Sequence, residues 1–352
     1  MGKWIGPTGN TVTILPWTDK GFKFYVLDCR EVLGGDIACG SIKMMHDGNE
    51  EALKMITDEN TVEIRLGSLE LGDTMTIKGI ITNRKYHKNL LDIEFSCIPD
   101  LDFVINRGTL SYNDIDTAIK SLWRGEIDNR TSTDLPSGIE LNQAGEKDRD
   151  FLRTLCESYK KDTIYAFGLE GLLIKDIVGI DSTGHKEPYW TVLGGADMIQ
   201  DKGPGNDRYR LNYDYRLYLK PEDPWETPVS KNLGTRIFDN KYMITHSDYT
   251  IMRENLYNNQ RILNSKMYNQ LHLIHTNFFQ SYRLGDVVNY KRAGESDKVP
   301  FVIYIISEIW YHYRTEPDPG SGESETFPFK IEYTLHCLEE SGKILNDKDP
   351  LR

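Results

Sequence analysis

Two short loops of the sequence contain residue types that bind ions. Residues 47–51 have the sequence DGNEE, which offers the carboxylates of a calcium loop. The glycine of such a loop stands at the sixth position and a glutamate at the twelfth, and this segment has neither. Residues 202–207 have the sequence KGPGND, which holds a phosphate only where a helix begins directly after it, whereas residues 209–218 alternate like a strand. We therefore predict a surface turn for the first loop and a hairpin or flexible loop for the second.

Histidines and cysteines, the other common metal ligands, are spaced unfavourably for a metal site. His272 and His275 are the closest pair of histidines, and a spacing of three in a strand-like stretch sends them to opposite faces. The five cysteines form no C-x-x-C pair and stand at positions 29, 39, 97, 156 and 337. Because several of them fall in predicted helices or strands, we expect buried, reduced thiols instead of disulfides or metal ligands.

No pattern in the sequence singles out a catalytic centre. The P-loop, the H-E-x-x-H zinc motif and the G-x-S-x-G nucleophile motif are absent from the sequence. Pairs of carboxylates can always be drawn from 54 acidic residues, but their order distinguishes no pair. We expect no catalytic, cofactor-binding or metal-binding residue and no cofactor, and a hydrolase stays open as an alternative.

Length, charge and composition indicate how many domains to expect and which partners are unfavourable. A chain of 352 residues is long enough for two or three domains. Its net charge of −12 argues against tight binding to a phosphate backbone, since that affinity comes from lysines and arginines. No stretch approaches the roughly 18 apolar residues of a membrane span, and the N-terminus lacks the apolar region of a signal peptide. We expect a protein that is made and assembled in the cytoplasm without membrane insertion.

The clearest structural element is a helix followed by a hairpin. The helix is predicted over 148–160, with Asp148 or Asp150 at its start. Steps of one, three and four place one apolar stripe on it: Phe151, Leu152, Leu155 and Tyr159. β-Branched and aromatic runs at 163–167 and 172–177 predict the hairpin. We expect the first three residues of the stripe to anchor the helix to its domain.

Regions on both sides of this element are predicted to form strands. In the first hundred residues, alternation and Gly, Asn and Asp turns predict strands at 11–15, 22–29, 40–44, 61–66, 74–83 and 90–97. A helix over 110–122, capped by Ser111 or Asn113, follows them. Later strands are predicted at 282–290, 300–313 and 328–338. The segment 181–265 is rich in proline and tryptophan, which favours irregular connections.

The order of these elements resembles a family of tail proteins. A Gln at 143, an acidic residue, DRDFLRTL and a short hairpin with an aromatic before its glycine are typical of the baseplate hub of long-tailed bacteriophages. The hub part of type VI secretion spike proteins is similar. The resemblance implies a mainly β (α+β) fold, with two small tube-forming antiparallel β-barrels and a helix-hairpin domain between them. The expected domains are a first barrel at 1–107, the helix and helix-hairpin domain at 108–180, a connecting region at 181–265, a second barrel at 266–345 and a tail at 346–352.

The resemblance also implies a function and partners. Such a hub is a trimeric ring that adapts a sixfold tail tube to a threefold central spike. The expected partners are two further copies of the chain, a tail tube protein, a central spike protein, a tape measure protein and DNA that passes through the lumen without specific binding. The expected location is the tail baseplate of a virion, after assembly in the host cytoplasm. Acidic charge would let DNA slide past, although solubility alone explains that charge equally well. The alternative is an enzyme or carbohydrate-binding β-protein that acts on a cell-surface polymer.

Overall fold

The computed structural model describes a set of ranges within the chain, and every structural statement below concerns these residues alone. They are 3–5, 9–45, 60–87, 90–131, 137–143, 145–158, 163–176, 198–204, 212–217, 235–240, 243–245, 269–275, 282–290, 302–315, 329–340 and 343–344.

The described residues form mostly β-strands, with three short α-helices. The elements before residue 180 are β1 (Trp4–Ile5), β2 (Asn10–Leu15), a 3-10 helix (Thr18–Lys20), β3 (Lys23–Val32), β4 (Gly34–Ile37), β5 (Cys39–Met45), β6 (Thr61–Ser68), β7 (Gly72–His87), β8 (Leu90–Ser96), α1 (Asp102–Ile105), β9 (Ser111–Asp114), α2 (Ile115–Leu122), β10 (Ser137–Asn142), α3 (Asp148–Ser158), β11 (Thr163–Gly168) and β12 (Gly171–Asp176). Those after it are β13 (Met198–Pro204), β14 (Asn212–Leu217), β15 (Thr235–Asn240), β16 (Met243–Thr245), β17 (Asn269–His275), β18 (Val287–Tyr290), β19 (Val302–Arg314), β20 (Phe329–Glu340) and β21 (Lys343–Ile344).

One curled antiparallel sheet dominates the structure. Its strands follow the order β1-β2-β6-β7-β8-β5-β3-β19-β20-β17-β13, with β18 on β19 and β21 on β20. Early and late strands of the chain meet where residues 26–32 of β3 pair with residues 308–314 of β19. We call this pairing the seam. The predicted mainly β fold is confirmed, and its two β-regions form one continuous sheet.

Two hydrophobic cores pack against this framework. The sheet core lies under the large sheet and includes Ile14, Ile42, Ile64, Tyr313 and Tyr333. The helix core is built by the three helices and the β11–β12 hairpin: Ile98, Phe103, Tyr112, Ile115, Ala118, Ile119, Leu122, Trp123, Phe151, Leu152, Leu155, Cys156, Tyr165, Phe167, Leu172 and Ile174. The hairpin connects the two cores, because Ala166 and Leu173 belong to the sheet core while the residues beside them belong to the helix core. This alternation follows from the period of two in a strand.

The elements with the clearest patterns are confirmed. All six strands predicted in the first hundred residues are present, the strand predicted at 74–83 being longer, at Gly72–His87. The helix predicted over 148–160 is described from Asp148 to Ser158, and Tyr159 lies outside the described residues. The hairpin after it pairs Thr163–Gly168 with Gly171–Asp176. The division of the chain into domains stays a prediction.

The predicted helix over 110–122 begins later than expected. Residues Ser111–Asp114 form β9, which pairs with β10, and the helix starts at Ile115. Its cap is neither Ser111 nor Asn113 but Asp114, whose Oδ1 accepts a hydrogen bond of 2.7 Å from the backbone N–H of Thr117. The correction has a physical reason: an N-cap residue keeps an extended backbone directly before the first helical residue, and Asp114, the last residue of β9, occupies that position.

Three further expectations need correction. The segment 181–265 was expected to be irregular, but the structure places β13, β14, β15 and β16 within it. The backbone N–H and C=O groups of β13 and β16 find hydrogen-bond partners in strands outside the segment, β17 and β10. The strand predicted at 282–290 begins only at Val287. A turn precedes the strand, and Gly285 in this turn has a φ of 76°, which is not an extended conformation. Cys39 is exposed, whereas Cys29, Cys97 and Cys156 are buried, and all four are free thiols. The predicted loop at 47–51 lies outside the described residues.

Candidate functional site: the seam and its surroundings

The three residues predicted to anchor the helix lie in the helix core. Phe151, Leu152 and Leu155 on α3 are all at most 2% exposed. The ring of Phe151 stacks on that of Tyr112, with 6.1 Å between centroids. The structure thus brings together the three residues that the sequence singled out, and their role as an anchor stays a prediction.

The residues that carry the family resemblance fix the start of α3. The side-chain amide of Gln143 donates a hydrogen bond of 2.8 Å to Oδ1 of Asp148 and one of 3.0 Å to the carbonyl of Glu146. The amide of Asn106 donates to the other oxygen of Asp148, at 3.1 Å. Because Asp148 is the first residue of α3, these bonds hold the helix N-terminus against the segment before α2. Gln143 and Asp148, which are part of the sequence pattern of the resemblance, are therefore joined by a hydrogen bond at the start of α3.

A chain of ionisable side chains crosses the seam on the face of the sheet opposite the core. Tyr311 and Tyr313 point into the sheet core, so His312 between them points to the other face. Nδ1 of His312 lies 2.7 Å from Oδ1 of Asp28 on β3, and its Nε2 lies 3.4 Å from Oε1 of Glu332 on β20. The other oxygen of Glu332 lies 3.0 Å from Nε2 of His272 on β17. We call Asp28, His312, Glu332 and His272 the histidine ladder.

The contacts within the ladder favour charged groups. Burial alone would lower the pKa of His312, but its hydrogen bonds to Asp28 and Glu332 outweigh burial and raise it. Hydrogen bonds from His272, His312 and Lys330 hold the pKa of Glu332 well below its usual range. Lys330 lies 2.7 Å from Glu332 and is itself partly buried. The centre of the ladder therefore favours a charged His312 beside an ionised Glu332 on the neighbouring strand.

An exposed aromatic side chain lies next to the ladder. Trp310 is 42% exposed, and the guanidinium of Arg30 lies 5.6 Å from the centre of its ring. Nε of Arg30 donates a hydrogen bond of 2.6 Å to Glu308. Arg30 on β3 thus contacts two residues of β19, one through a cation–π interaction and one through an ion pair.

The core side of the seam carries a buried acid. Glu31 on β3 is 5% exposed, and its Oε2 accepts a hydrogen bond of 3.1 Å from the backbone N–H of Leu169 at the tip of the hairpin. Burial raises the pKa of Glu31 to about 7, although the bond from Leu169 and the charge of Arg130 act in the opposite direction. Glu31 is therefore largely neutral in mildly acidic solution.

Beside Glu31, a network of ion pairs connects the hairpin with the turn before β18. The guanidinium of Arg130 lies 2.7 Å from Oδ2 of Asp128 and donates a hydrogen bond of 2.8 Å to the carbonyl of Leu284. Arg130 and Lys175 both contact Oδ1 of Asp286, at 3.4 and 3.2 Å. Side-chain hydrogen bonds from Arg130 lower the pKa of Asp128 in spite of its burial. We call these residues the ion network.

A cleft of about 860 Å³ lies between the large sheet and the 123–129 segment. Its apolar lining includes Ile80, Ile98 and Leu169. Lys78 and Glu126 line it from different elements and form an exposed ion pair of 2.7 Å. Another acidic side chain of the cleft, Asp128, forms an ion pair of 2.7 Å with Arg130.

Metal binding and membrane spanning are two further possibilities for the described residues. Within them, no group of three or more His, Cys, Asp or Glu side chains is placed to hold a metal ion. Among the helices in these ranges, none is long and apolar enough to cross a membrane.

The ladder and the ion network were not found from the sequence. His272 and His275 are close in the chain, whereas the ladder takes one residue from each of four strands. The available signal was the alternation in residues 310–314, WYHYR, which places the two tyrosines on one face and Trp310, His312 and Arg314 on the other. The partners of His312 become visible only when the order of the strands is known.

Comparisons with known proteins identify the fold. No protein-family model and no curated protein matches the chain. A tail protein from Neisseria meningitidis MC58 is similar in structure, with a TM-score of 0.54, 11% identity and coverage of 95% of this chain and 97% of the other. The 43 kDa tail protein of prophage MuSo2 from Shewanella oneidensis aligns with a TM-score of 0.51, 11% identity and coverage of 89% and 92%. The chain therefore has the fold of phage tail proteins, which confirms the resemblance inferred from its sequence.

Proposed function

We propose that the chain is the structural hub of a phage tail or of a related contractile injection machine. Three copies form a ring that adapts a sixfold tail tube to a threefold central spike. The observation that carries the proposal is the continuous curled sheet, in which an early and a late block of strands join at the seam. A ring of three such subunits presents six blocks of strands to the tube while its own symmetry remains threefold.

The ends of the sheet support closure of the ring. In the described residues, β13 pairs with β17 on one side only, and β1 covers only Thr11 and Val12 of β2. Unpaired strand edges are sites where another chain can add hydrogen bonds. We infer that the β13 edge of one subunit lies beside the β2 edge of the next, which is the head-to-tail contact that a closed ring of identical subunits requires.

The face of the sheet that carries the ladder suits the wall of a channel. We place this face toward the lumen because the opposite face is filled by the sheet core. Its cations are paired with carboxylates in the contacts Arg30–Glu308, His312–Asp28 and Lys330–Glu332. A paired cation is less available to a phosphate, so DNA and a tape measure protein can pass without being held. The tail tube protein and the spike protein contact the two ends of the ring.

The oligomeric state tests this proposal. Light scattering coupled to size exclusion should give a mass of about 122 kDa, three times 40.6 kDa, for the chain alone or after addition of the neighbouring spike protein. A stable dimer under both conditions contradicts the proposal. The same preparation should release no product from peptidoglycan or common polysaccharides, since we propose a structural and not an enzymatic role. Turnover would favour an enzyme, and glycan binding without turnover would favour a carbohydrate-binding protein.

A further inference from the structure

The seam is the place where the two halves of the sheet depend on each other. Among the described residues, strands from the first hundred positions pair with strands of 269–340 only where β3 meets β19. Seven residues of each strand take part in this pairing. A change that weakens the seam therefore acts on the joint between the halves while leaving the pairing within each half intact.

On the outer face, His312 clamps the seam. Both of its ring nitrogens face carboxylate oxygens, of Asp28 on β3 and of Glu332 on β20. The carboxylate of Asp28 only accepts hydrogen bonds, so Nδ1 carries a hydrogen, and the second carboxylate, 3.4 Å from Nε2, favours the charged imidazolium over the neutral ring. The other charged or titratable groups near this contact are Lys330, also on β20, and His272 on β17, both of which contact Glu332.

On the core face, Glu31 occupies the same seam. It pairs with Ile309 of β19 in the strand register, and its carboxyl is buried against the hairpin tip. Of the charged groups that surround it, Arg130 opposes its protonation, while Glu170 and Asp128 favour it. Among the described residues no cation contacts this carboxyl directly, so an ionised Glu31 would be a buried charge without an ion-pair partner, which is unfavourable.

We propose that the seam is a pH-dependent joint, tight when Glu31 is neutral and His312 is charged, and loosened when both lose their protons.

The stability contributed by Glu31 and by His312 changes with pH in the same direction. Each has a higher pKa in the folded protein than in an unfolded chain, so each contributes stability that is present at low pH and lost as pH rises through the folded value. For Glu31 this loss begins above the ordinary carboxyl pKa of 4.5 and is nearly complete a little above pH 7. Glu332 acts in the opposite direction, because its pKa is lowered, so its contribution to stability is lost as pH falls below the ordinary carboxyl pKa of 4.5. The joint is therefore tightest in mildly acidic solution.

Hydrogen exchange of the full chain measures the joint directly. Protection factors, corrected for the intrinsic effect of pH on exchange, are compared at pH 6 and pH 9 for peptides from β3 and β19. We expect protection at the seam to fall about tenfold or more. A shift of one unit in the pKa of a group changes the equilibrium constant for opening of the seam by a factor of ten. Peptides from the β2–β6 pairing, which lies away from the seam, should change much less.

Variants separate the two groups. Glu31→Gln and His312→Gln should each remove part of the pH dependence, and the double variant should show none. His272→Gln is the control, because His272 contacts Glu332 but not the seam, and it should keep the wild-type dependence. If His312→Gln does not fold, Asp28→Asn replaces it, and this variant should move the midpoint of loosening to lower pH. Equal seam protection at pH 6 and pH 9 in the wild type, or full pH dependence in the double variant, would overturn the proposal. None of these outcomes depends on whether the chain forms a trimer.

Discussion

Replacing Phe151 by alanine should destabilise the helix core severely. The side chain is fully enclosed, and removing a buried Phe from a core costs about 3–5 kcal/mol in the free energy of unfolding. The stacked ring of Tyr112 would also lose its partner. The helix that carries Phe151 has 11 residues, and helices this short are marginal without tertiary packing. We therefore expect a loss near the middle of that range, about 4 kcal/mol, and release of α3 from the helix core.

Urea unfolding followed by circular dichroism measures this loss, and hydrogen exchange of α3 and β11 locates it. Lys120→Ala is the matched control on α2, because Lys120 is 65% exposed and its ion pair with Asp116 is of the surface i,i+4 type. Such pairs contribute about 0.3–0.5 kcal/mol. A loss below about 1 kcal/mol for Phe151→Ala, or equal losses for both variants, would refute the assignment of Phe151 as an anchor.

Three other predictions concern the ion network, the hairpin and the absence of catalytic activity. Arg130→Met should lower the free energy of unfolding by about 3 kcal/mol, because it leaves Asp128 buried without its ion-pair partner, and adding Asp128→Asn should restore part of the loss in the same urea assay. Gly171→Ala should destabilise the hairpin by several kcal/mol more than Gly72→Ala; both glycines have positive φ, but only at Gly171 would a Cβ collide with the backbone, at the carbonyl of Glu126. Purified protein should clear no zone in peptidoglycan zymograms, and a cleared zone that persists after removal of contaminating lysins would contradict a purely structural role.

The sequence predicted the local elements because their signals are local. The stripe of Phe151, Leu152 and Leu155 and the alternation of 61–66 and 90–97 follow from the helix and strand periods alone. The beginning of α2 was placed wrongly because Ser111, Asn113 and Asp114 are all good caps, and the choice among them depends on where β9 stops pairing.

The joint of the two halves could not be predicted in this way. The seam brings Asp28 next to His312, which is 284 positions away in the chain, and no local pattern specifies which strand edges meet. The same limitation hid Glu31, whose burial depends on the hairpin tip at Leu169. The histidine ladder takes one residue from each of four strands, so such a site can be recognised only after the order of the strands is known.

An image of the assembled particle tests the central claim most directly. Electron cryo-microscopy of the chain, alone or with the neighbouring tube and spike proteins, should show a ring of three subunits around a central channel. We expect the face carrying Asp28, His312 and Glu332 to line this channel and the helix core to lie outside it. A particle with no channel, or a ring with the helix core on its inner wall, would contradict the account.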